Sequence, residues 1–182
     1  ANAAGKFGSM TLSVGFILHY ILPFMPFMYF FFQVGNWVKE LFEAMVGLPL
    51  WALAHIRIDE GGLPGPAGMN GYFLIFEIFL RPILLVFGLI GAVTIFAAQV
   101  QILHGTFGLV VTNVGGFNVE DAKAAGNPDL FEMARQELDT FFFTIMYAII
   151  VYLLATSSFK LIYQVPNNIL RWMNASVSAF SD

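Results

Sequence analysis

Residues 82–119 read PILLVFGLIGAVTIFAAQVQILHGTFGLVVTNVGGFNV, a stretch without Asp, Glu, Lys or Arg. A helix needs about 20 apolar residues to cross the hydrocarbon core of a bilayer. Within that core each backbone N–H and C=O group must be paired inside the protein, and a helix pairs them within one segment. The stretch therefore predicts a membrane-spanning helix.

Two further stretches, 7–38 and 140–159, also lack charged residues. The chain of 182 residues is 58% hydrophobic and 11% charged, and its mean hydropathy is +0.76, which lies outside the range of ordinary water-soluble domains. The predicted fold class is all-α: a polytopic helical membrane protein with three to four hydrophobic helices plus interfacial helices, forming a single membrane domain over residues 1–182. The predicted spans are 10–33, 72–103 and 140–160.

Proline and glycine predict where these helices bend or end. Pro23 and Pro26 predict a bend in the first span, because proline removes a backbone donor. Residues 38–56 are apolar but short, and Gly47 and Pro49 interrupt them. They predict an interfacial or half-membrane helix, or a short span inside a bundle.

The connections between the spans have distinct compositions. Residues 57–71 hold five glycines and two prolines, which predicts a loop that serves as a hinge or close-packing element. Gly71 is expected there as a turn glycine with positive φ. Residues 112–139 hold six acidic residues and form a polar, solvated connection, whose 127–129 Asn-Pro-Asp sequence predicts a helix start. After a turn at 164–166, residues 166–174 predict a short interfacial tail helix.

Glu77 and Arg81 are the charged residues within the second predicted span, near its start. They are four residues apart with the acid first, the favourable order for an intrahelical ion pair. Such a pair either lies at the headgroup level or serves an ion pathway or a partner helix. Pro82 favours the headgroup level, since proline suits the first turn of a helix and the span would then begin near Arg81. Gly88 and Ala92, four apart, predict a close helix contact.

Little in the sequence indicates catalysis. Cysteine is absent, which excludes disulfides and thiol nucleophiles, and the three histidines are scattered. No His-Glu-x-x-His, Gly-x-Ser-x-Gly or Gly-Lys-Ser/Thr motif occurs. We therefore predict no enzyme activity, no metal and no cofactor; an intramembrane enzyme is the least favoured hypothesis.

The distribution of basic residues predicts an orientation. If the chain crosses the membrane three times, one side of the membrane holds four basic residues and the other holds three. The more basic side is predicted to be cytoplasmic. That side carries Lys39, Arg57, Lys160 and Arg171; the other carries Lys6, Lys123 and Arg135. The carboxyl terminus and the loop at 57–71 are then cytoplasmic.

Several short motifs follow one another along the chain. They are PLWALAH (49–55), GLPG (62–65), NGY (70–72), LRPIL (80–84), FG (87–88), VP (165–166) and LRWM (170–173). In this order they resemble the DotA/TraY family of bacterial type IVB secretion and conjugation proteins, over roughly residues 45–175. The residues taken from this resemblance as structural or functional candidates, together with Glu77, are Trp51, His55, Gly62, Pro64, Gly65, Asn70, Gly71, Arg81, Pro82, Pro166, Arg171 and Trp172.

The resemblance implies a multi-pass protein of the bacterial inner membrane that contacts lipid and forms a ring with copies of itself. It implies contact with other secretion-system components, and with translocated protein or DNA only transiently; it implies no catalytic residues. Family members are usually much longer, so a processed or partial form is expected. Asn174 stands where a glycine is expected, and Asp59 and Glu60 make the loop more acidic than the family motif.

Two functions follow as expectations. The first is a subunit of a homo-oligomeric inner-membrane channel or scaffold of a type IVB secretion or conjugation system. The alternative is a small membrane transporter, or an accessory subunit of an ion-translocating complex. In that case Glu77, Arg81 and His104 would form a polar relay.

Overall fold

The computed structural model of the protein describes residues 2–54, 66–115 and 130–179, and all of these except Lys160 are helical. The all-α fold class is confirmed for this part of the chain. Three helical stretches are long and apolar enough to cross a membrane: Gly8–Leu53, Asn70–Asn113 and Leu138–Met173. Each contains or overlaps one of the three predicted spans.

Helices α1 (Asn2–Phe16) and α2 (Leu22–Ala54) are joined by one π-helical turn, Ile17–Ile21. The N–H of Leu22 donates to the carbonyl oxygen of Ile17, the spacing of a π-helix. Pro23 follows at once and has no N–H, so the ladder of α-helical hydrogen bonds cannot continue unchanged through this point. The π turn therefore lies where the sequence predicts a bend.

Helix α2 continues without a break through Gly47 and Pro49 to Ala54. The separate interfacial or half-membrane helix predicted at 38–56 is therefore wrong, because residues 38–54 are the second half of α2. A proline removes one hydrogen bond from a helix, and packing of an apolar face against a neighbour can offset that loss.

Helix α3 (Pro66–Gly115) is longer than the predicted span at both ends. It begins with a proline, which suits the first helical position because the N–H there has no partner. Residues 66–71 of the predicted loop are therefore helical, and residues 57–65 lie outside the described part. Pro82 lies well inside α3, so it does not stand in the first turn of the helix, as the sequence suggested. Where the membrane span begins relative to Arg81 stays a prediction.

Helices α4 (Leu130–Phe159) and α5 (Leu161–Ala179) meet at Lys160, whose carbonyl oxygen accepts hydrogen bonds from two following N–H groups. The turn predicted at 164–166 is wrong, because α5 runs through Pro166. The tail helix is also longer than predicted. Of the polar connection at 112–139, both ends are helical and residues 116–129 lie outside the described part.

The chain divides into two compact units. The first unit comprises residues 1–25 and 94–158, and the second comprises 26–93 and 159–182. Little of the apolar surface is covered by the chain itself. In the first candidate span, none of the most apolar window is buried; in each of the other two spans, 17% of the corresponding window is buried. Most of the large apolar side chains must therefore be covered by lipid or by other protein.

Candidate functional site

In the second unit, α2 and α3 form an antiparallel hairpin. Later residues of α2 contact earlier residues of α3, as Trp51 with Gly68 and Glu40 with Arg81 show. The facing residues alternate in steps of four and three, the spacing of helices that pack knobs into holes. These residues are Trp37, Leu41, Ala44, Leu48 and Trp51 on α2, and Gly71, Ile75, Ile78 and Pro82 on α3. They line an apolar groove of about 470 Å³.

A charged cluster of Glu40, Glu77 and Arg81 lies on this hairpin. Nη1 of Arg81 donates to Oε1 of Glu40 at 2.5 Å, and Nη2 donates to Oε1 of Glu77 at 2.7 Å. The Arg81 side chain is 17% exposed, and the glutamates are 35% and 27% exposed. The predicted Glu77–Arg81 ion pair is present, and the same guanidinium also joins α3 to α2.

The charges of this cluster do not balance. Two carboxylates share one guanidinium, and the buried Nε of Arg81 has no hydrogen-bond partner among the described residues. Ionisable groups inside candidate membrane spans are costly and are usually paired or functional. Removal of Arg81 would therefore leave two carboxylates without the cation that compensates them.

Pro82 explains why Trp37 is bonded to the backbone of α3. In an α-helix the N–H of residue i donates to the carbonyl oxygen of residue i−4, and proline has no N–H. The carbonyl oxygen of Ile78 therefore loses its usual donor. The indole N–H of Trp37 donates to this oxygen at 2.9 Å. The proline of one helix is thus matched by a tryptophan of the other, which fixes the register of the hairpin.

Trp51 makes a second contact of this kind near the end of α2. Its indole N–H donates to the carbonyl oxygen of Gly68 at 2.9 Å, and its ring meets Tyr72 edge-on with centroids 4.9 Å apart. A Cβ atom at Gly71 would overlap the indole ring. Gly71 lies inside α3, so its interpretation as a turn glycine with positive φ is wrong; the tryptophan requires a residue without a side chain there.

Gly88 brings α3 close to α5 in the second unit. A Cβ atom built on Gly88 would lie 3.0 Å from the Cα atom of Ile162 and 3.1 Å from the carbonyl oxygen of Leu161. Ala92, one turn further along, is fully buried. The close helix contact predicted from these two small residues is confirmed.

The contact between α3 and α4, in the first unit, has a different character. Phe107 packs against Tyr147 and Phe143, with ring centroids 5.2 and 6.5 Å apart. His104 also faces Tyr147, edge-on at 6.4 Å. The hydroxyl of Ser158 donates a hydrogen bond to Oε1 of Gln99 at 2.8 Å, which links the two helices through side chains. His104 belongs to a different unit from Glu77 and Arg81, so the predicted relay of these three remains a prediction.

The other candidate residues are dispersed or lie outside the described part. Asn70 is exposed on α3, and Pro166 is buried in α5. Arg171 and Trp172 are exposed on α5, where Nη2 of Arg171 donates to Oδ1 of Asn168 at 3.3 Å. The candidates outside the described residues are His55, Gly62, Pro64 and Gly65. Residues 2–54, 66–115 and 130–179 contain no group of three His, Asp or Glu side chains that could hold a metal ion.

Sequence reasoning missed Trp37 and Glu40 as partners of α3. Trp37 lay between the predicted span at 10–33 and the predicted helix at 38–56, so it was not placed on one helix with residues 41–51. This concealed their common spacing in steps of four and three. That spacing, together with the matching series that begins at Gly71, is the signal that could have identified the hairpin.

No family model, no curated protein and no solved structure matches the chain. The resemblance to the DotA/TraY family therefore depends on the short motifs alone. Its functional implications remain proposals.

Proposed function

We propose that the chain is a subunit of a homo-oligomeric channel or scaffold in the bacterial inner membrane, of the kind used in type IVB secretion and conjugation. The observation that carries the proposal is the length and exposure of α3. Its candidate span, Asn70–Asn113, has 44 residues, and the chain buries 17% of the most apolar window of this span. At 1.5 Å per residue it is about 66 Å long, whereas the hydrocarbon core of a bilayer is about 30 Å thick.

Tilting the helix does not remove this excess of helix length over bilayer thickness. A tilt of about 40°, the upper end of the usual range, lengthens the path through the hydrocarbon core to about 39 Å. Even the full bilayer of about 45 Å, headgroups included, gives about 59 Å at that tilt. Part of the apolar surface of α3 thus requires cover from protein. Other copies of the chain can supply this cover, because every copy has the same uncovered apolar surface on α3 and homo-oligomers are commonly symmetric.

The more specific part of the proposal comes from the sequence resemblance. Within a secretion or conjugation system, such an oligomer would contact other components of the machinery and would pass protein or DNA substrates. The charged cluster would then fix the α2–α3 hairpin as a rigid element on which neighbouring copies assemble. No catalytic role is assigned to any residue.

The test is the particle mass and symmetry of the protein extracted in a mild detergent, by mass photometry and electron-microscope class averages. We expect a symmetric ring of several copies once the mass of an empty micelle is subtracted. A monodisperse monomer would contradict the proposal. Arg171→Ala, which changes an exposed arginine of α5, is the matched control for any loss of assembly in Arg81→Ala.

A second function is favoured by the imbalance of the charged cluster. Two carboxylates on one guanidinium within candidate spans suit a small transporter, or an accessory subunit of an ion-translocating complex. Glu40→Gln and Glu77→Gln would then abolish proton flux into vesicles loaded with a pH-sensitive dye, while the particle mass stays unchanged. Unchanged flux in both variants would rule out this function for the cluster.

A further inference from the structure

Helices α3 and α4 of the first unit enclose a cleft lined by aromatic rings. Its volume is about 520 Å³, within the range of about 300–1,000 Å³ that is usual for small-molecule sites. Its wall includes His104, Phe107 and Gly108 on α3, and Phe143 and Tyr147 on α4. These residues all belong to one compact unit, so the cleft lies within a single body.

Two polar groups of this cleft have no hydrogen-bond partner among residues 2–54, 66–115 and 130–179. They are the imidazole of His104 and the hydroxyl of Tyr147, whose rings meet edge-on with centroids 6.4 Å apart. Both residues lie within candidate spans, in stretches that contain no Asp, Glu, Lys or Arg. An ionisable side chain in such a position is usually functional, because lipid offers it no hydrogen-bond partner. The pair therefore marks the cleft as a candidate binding site.

The threonine hydroxyls at positions 112 and 144 are already used as donors. The hydroxyl of Thr112 donates to the carbonyl oxygen of Leu109 at 2.9 Å, and that of Thr144 donates to the carbonyl oxygen of Thr140 at 2.7 Å. Each of these two hydroxyl oxygens can then only accept a further hydrogen bond. The imidazole and the phenol thus decide which ligand the cleft can orient.

The aromatic rings decide the shape of that ligand. Phe107 packs against Tyr147 and Phe143, with ring centroids 5.2 and 6.5 Å apart, so the three rings form a continuous wall. A flat ring can pack against such a wall face to edge or in an offset stack. At Gly108 a Cβ atom would meet nothing within 4 Å, so the cleft is open beside this wall.

We propose that this cleft binds the ring of a lipid-soluble quinone. A quinone carbonyl oxygen accepts a hydrogen bond from the O–H of Tyr147 or the N–H of His104, and a quinol hydroxyl donates to the second nitrogen of a neutral imidazole. The ring is flat and apolar, so it suits the aromatic wall and reaches it from the bilayer core. The α2–α3 groove differs, because the indole N–H groups of Trp37 and Trp51 both donate to backbone oxygens there.

The proposal goes beyond the proposed channel and does not depend on the number of copies in a particle. Its test is photolabelling of the full chain in lipid nanodiscs by an azidoquinone, in competition with decylubiquinone. Gly108→Leu fills the cleft, and Gly105→Leu is its matched control. Both glycines lie on α3 and neither has an atom within 4 Å of an added Cβ, but Gly105 does not line the cleft.

Two further pairs of variants test the hydrogen bonds. Tyr147→Phe removes the hydroxyl of the cleft, whereas Tyr152→Phe removes one from α4 that lines a different crevice. His104→Leu removes the imidazole of the cleft, and His19→Leu changes an exposed histidine of the π-helical turn. Decylbenzene, which has a ring and the same tail but no carbonyl, is the control competitor.

We expect the label on peptides that contain residues 104–112 or 140–147. Gly108→Leu should abolish this labelling. Tyr147→Phe and His104→Leu should each weaken competition by decylubiquinone about two- to tenfold, the loss expected for one hydrogen bond. The three control variants should match the parent chain, and decylbenzene should compete poorly.

Three results would overturn the proposal. Label spread evenly over the three spans, or equal labelling of Gly108→Leu and Gly105→Leu, would show that the quinone only partitions into lipid. Competition by decylbenzene as strong as that by decylubiquinone would make the cleft a site for any apolar molecule. Unchanged competition in both Tyr147→Phe and His104→Leu would remove the hydrogen bonds that select a quinone. Tyr147→Phe deletes one oxygen atom only, so this last result does not depend on whether a bulkier variant folds.

Discussion

The two halves of α3 contact their neighbours by different means. Against α2, the first half uses a shared guanidinium and an indole N–H donated to a freed carbonyl oxygen. Against α4, the second half uses aromatic edges and a hydrogen bond between Ser158 and Gln99. Polar groups away from water have few alternative partners, so they fix one register; aromatic rings tolerate small shifts. Single substitutions should therefore damage the hairpin more than the α3–α4 contact.

The largest effect is expected from Arg81→Met, which keeps the apolar stem and removes the cation from two carboxylates. Breaking a buried ion pair costs about 3–5 kcal/mol, and the partial exposure of the glutamates lowers our expectation to about 2–3 kcal/mol. Unfolding in mixed micelles titrated with dodecyl sulfate measures this. The triple variant with Glu40→Gln and Glu77→Gln should recover most of the loss.

Two comparisons control for this result. Glu77→Gln alone should be milder than Arg81→Met, because Arg81 and Glu40 remain as a neutral pair. Arg171→Met changes an exposed arginine and should shift stability by no more than about 0.5 kcal/mol. Equal losses from Arg81→Met and Arg171→Met would mean that the cluster does not hold the hairpin.

The next effect is expected from Gly88→Val, which places a branched side chain against the backbone of Ile162. Overpacking of this kind costs about 1–3 kcal/mol, because backbone cannot move aside as a flexible side chain can. Gly91→Val is the matched control three residues further along α3, where a Cβ atom meets nothing within 4 Å. A comparable loss in both variants would show that the α3–α5 contact is not responsible.

A smaller effect is expected from Trp37→Phe, which removes the donor to the carbonyl oxygen of Ile78. Loss of this hydrogen bond should cost about 1–1.5 kcal/mol. In a Pro82→Ala background, the N–H restored at position 82 can bond that oxygen, and Trp37→Phe should then cost much less. A double-mutant cycle with these two changes measures the coupling. Strictly additive losses would show that the tryptophan does not compensate for the proline.

The smallest effect is expected from Ser158→Ala in the first unit. Hydrogen bonds between membrane helices are worth about 0.6 kcal/mol on average. The same titration should therefore separate this variant from Arg81→Met by a wide margin. A loss from Ser158→Ala as large as that from Arg81→Met would remove the distinction between the two halves of α3.

The sequence predicts the helical class, the three apolar stretches, the Glu77–Arg81 pair and the close approach at Gly88. These depend on composition and on spacing within one helix. The sequence does not predict that α2 runs through Pro49, and it favours Pro82 in a first turn rather than well inside α3. Proline disfavours a helix locally, and the compensation comes from another element. Trp37 compensates for Pro82 from a position 41 residues away along the chain from Ile78, and neither residue alone indicates this.

The prediction of a turn at Gly71 was wrong for a related reason. The clustered glycines of residues 57–71 indicate a turn by local rules. Gly71 is instead helical and small because the Trp51 ring occupies the space of its side chain. Steric requirements imposed by a distant residue leave the same sequence signal as a turn, so only the three-dimensional contact distinguishes the two.

The central claim is that the chain leaves apolar helix surface that copies of itself cover. The most direct measurement is the number of copies per particle in lipid, by single-molecule photobleaching. A fluorophore can be attached to Gly8→Cys, an exposed position with nothing within 4 Å of a Cβ atom, in a chain that has no other cysteine. In vesicles at a low ratio of protein to lipid, we predict several bleaching steps per particle. Single-step bleaching in nearly all particles would contradict the claim.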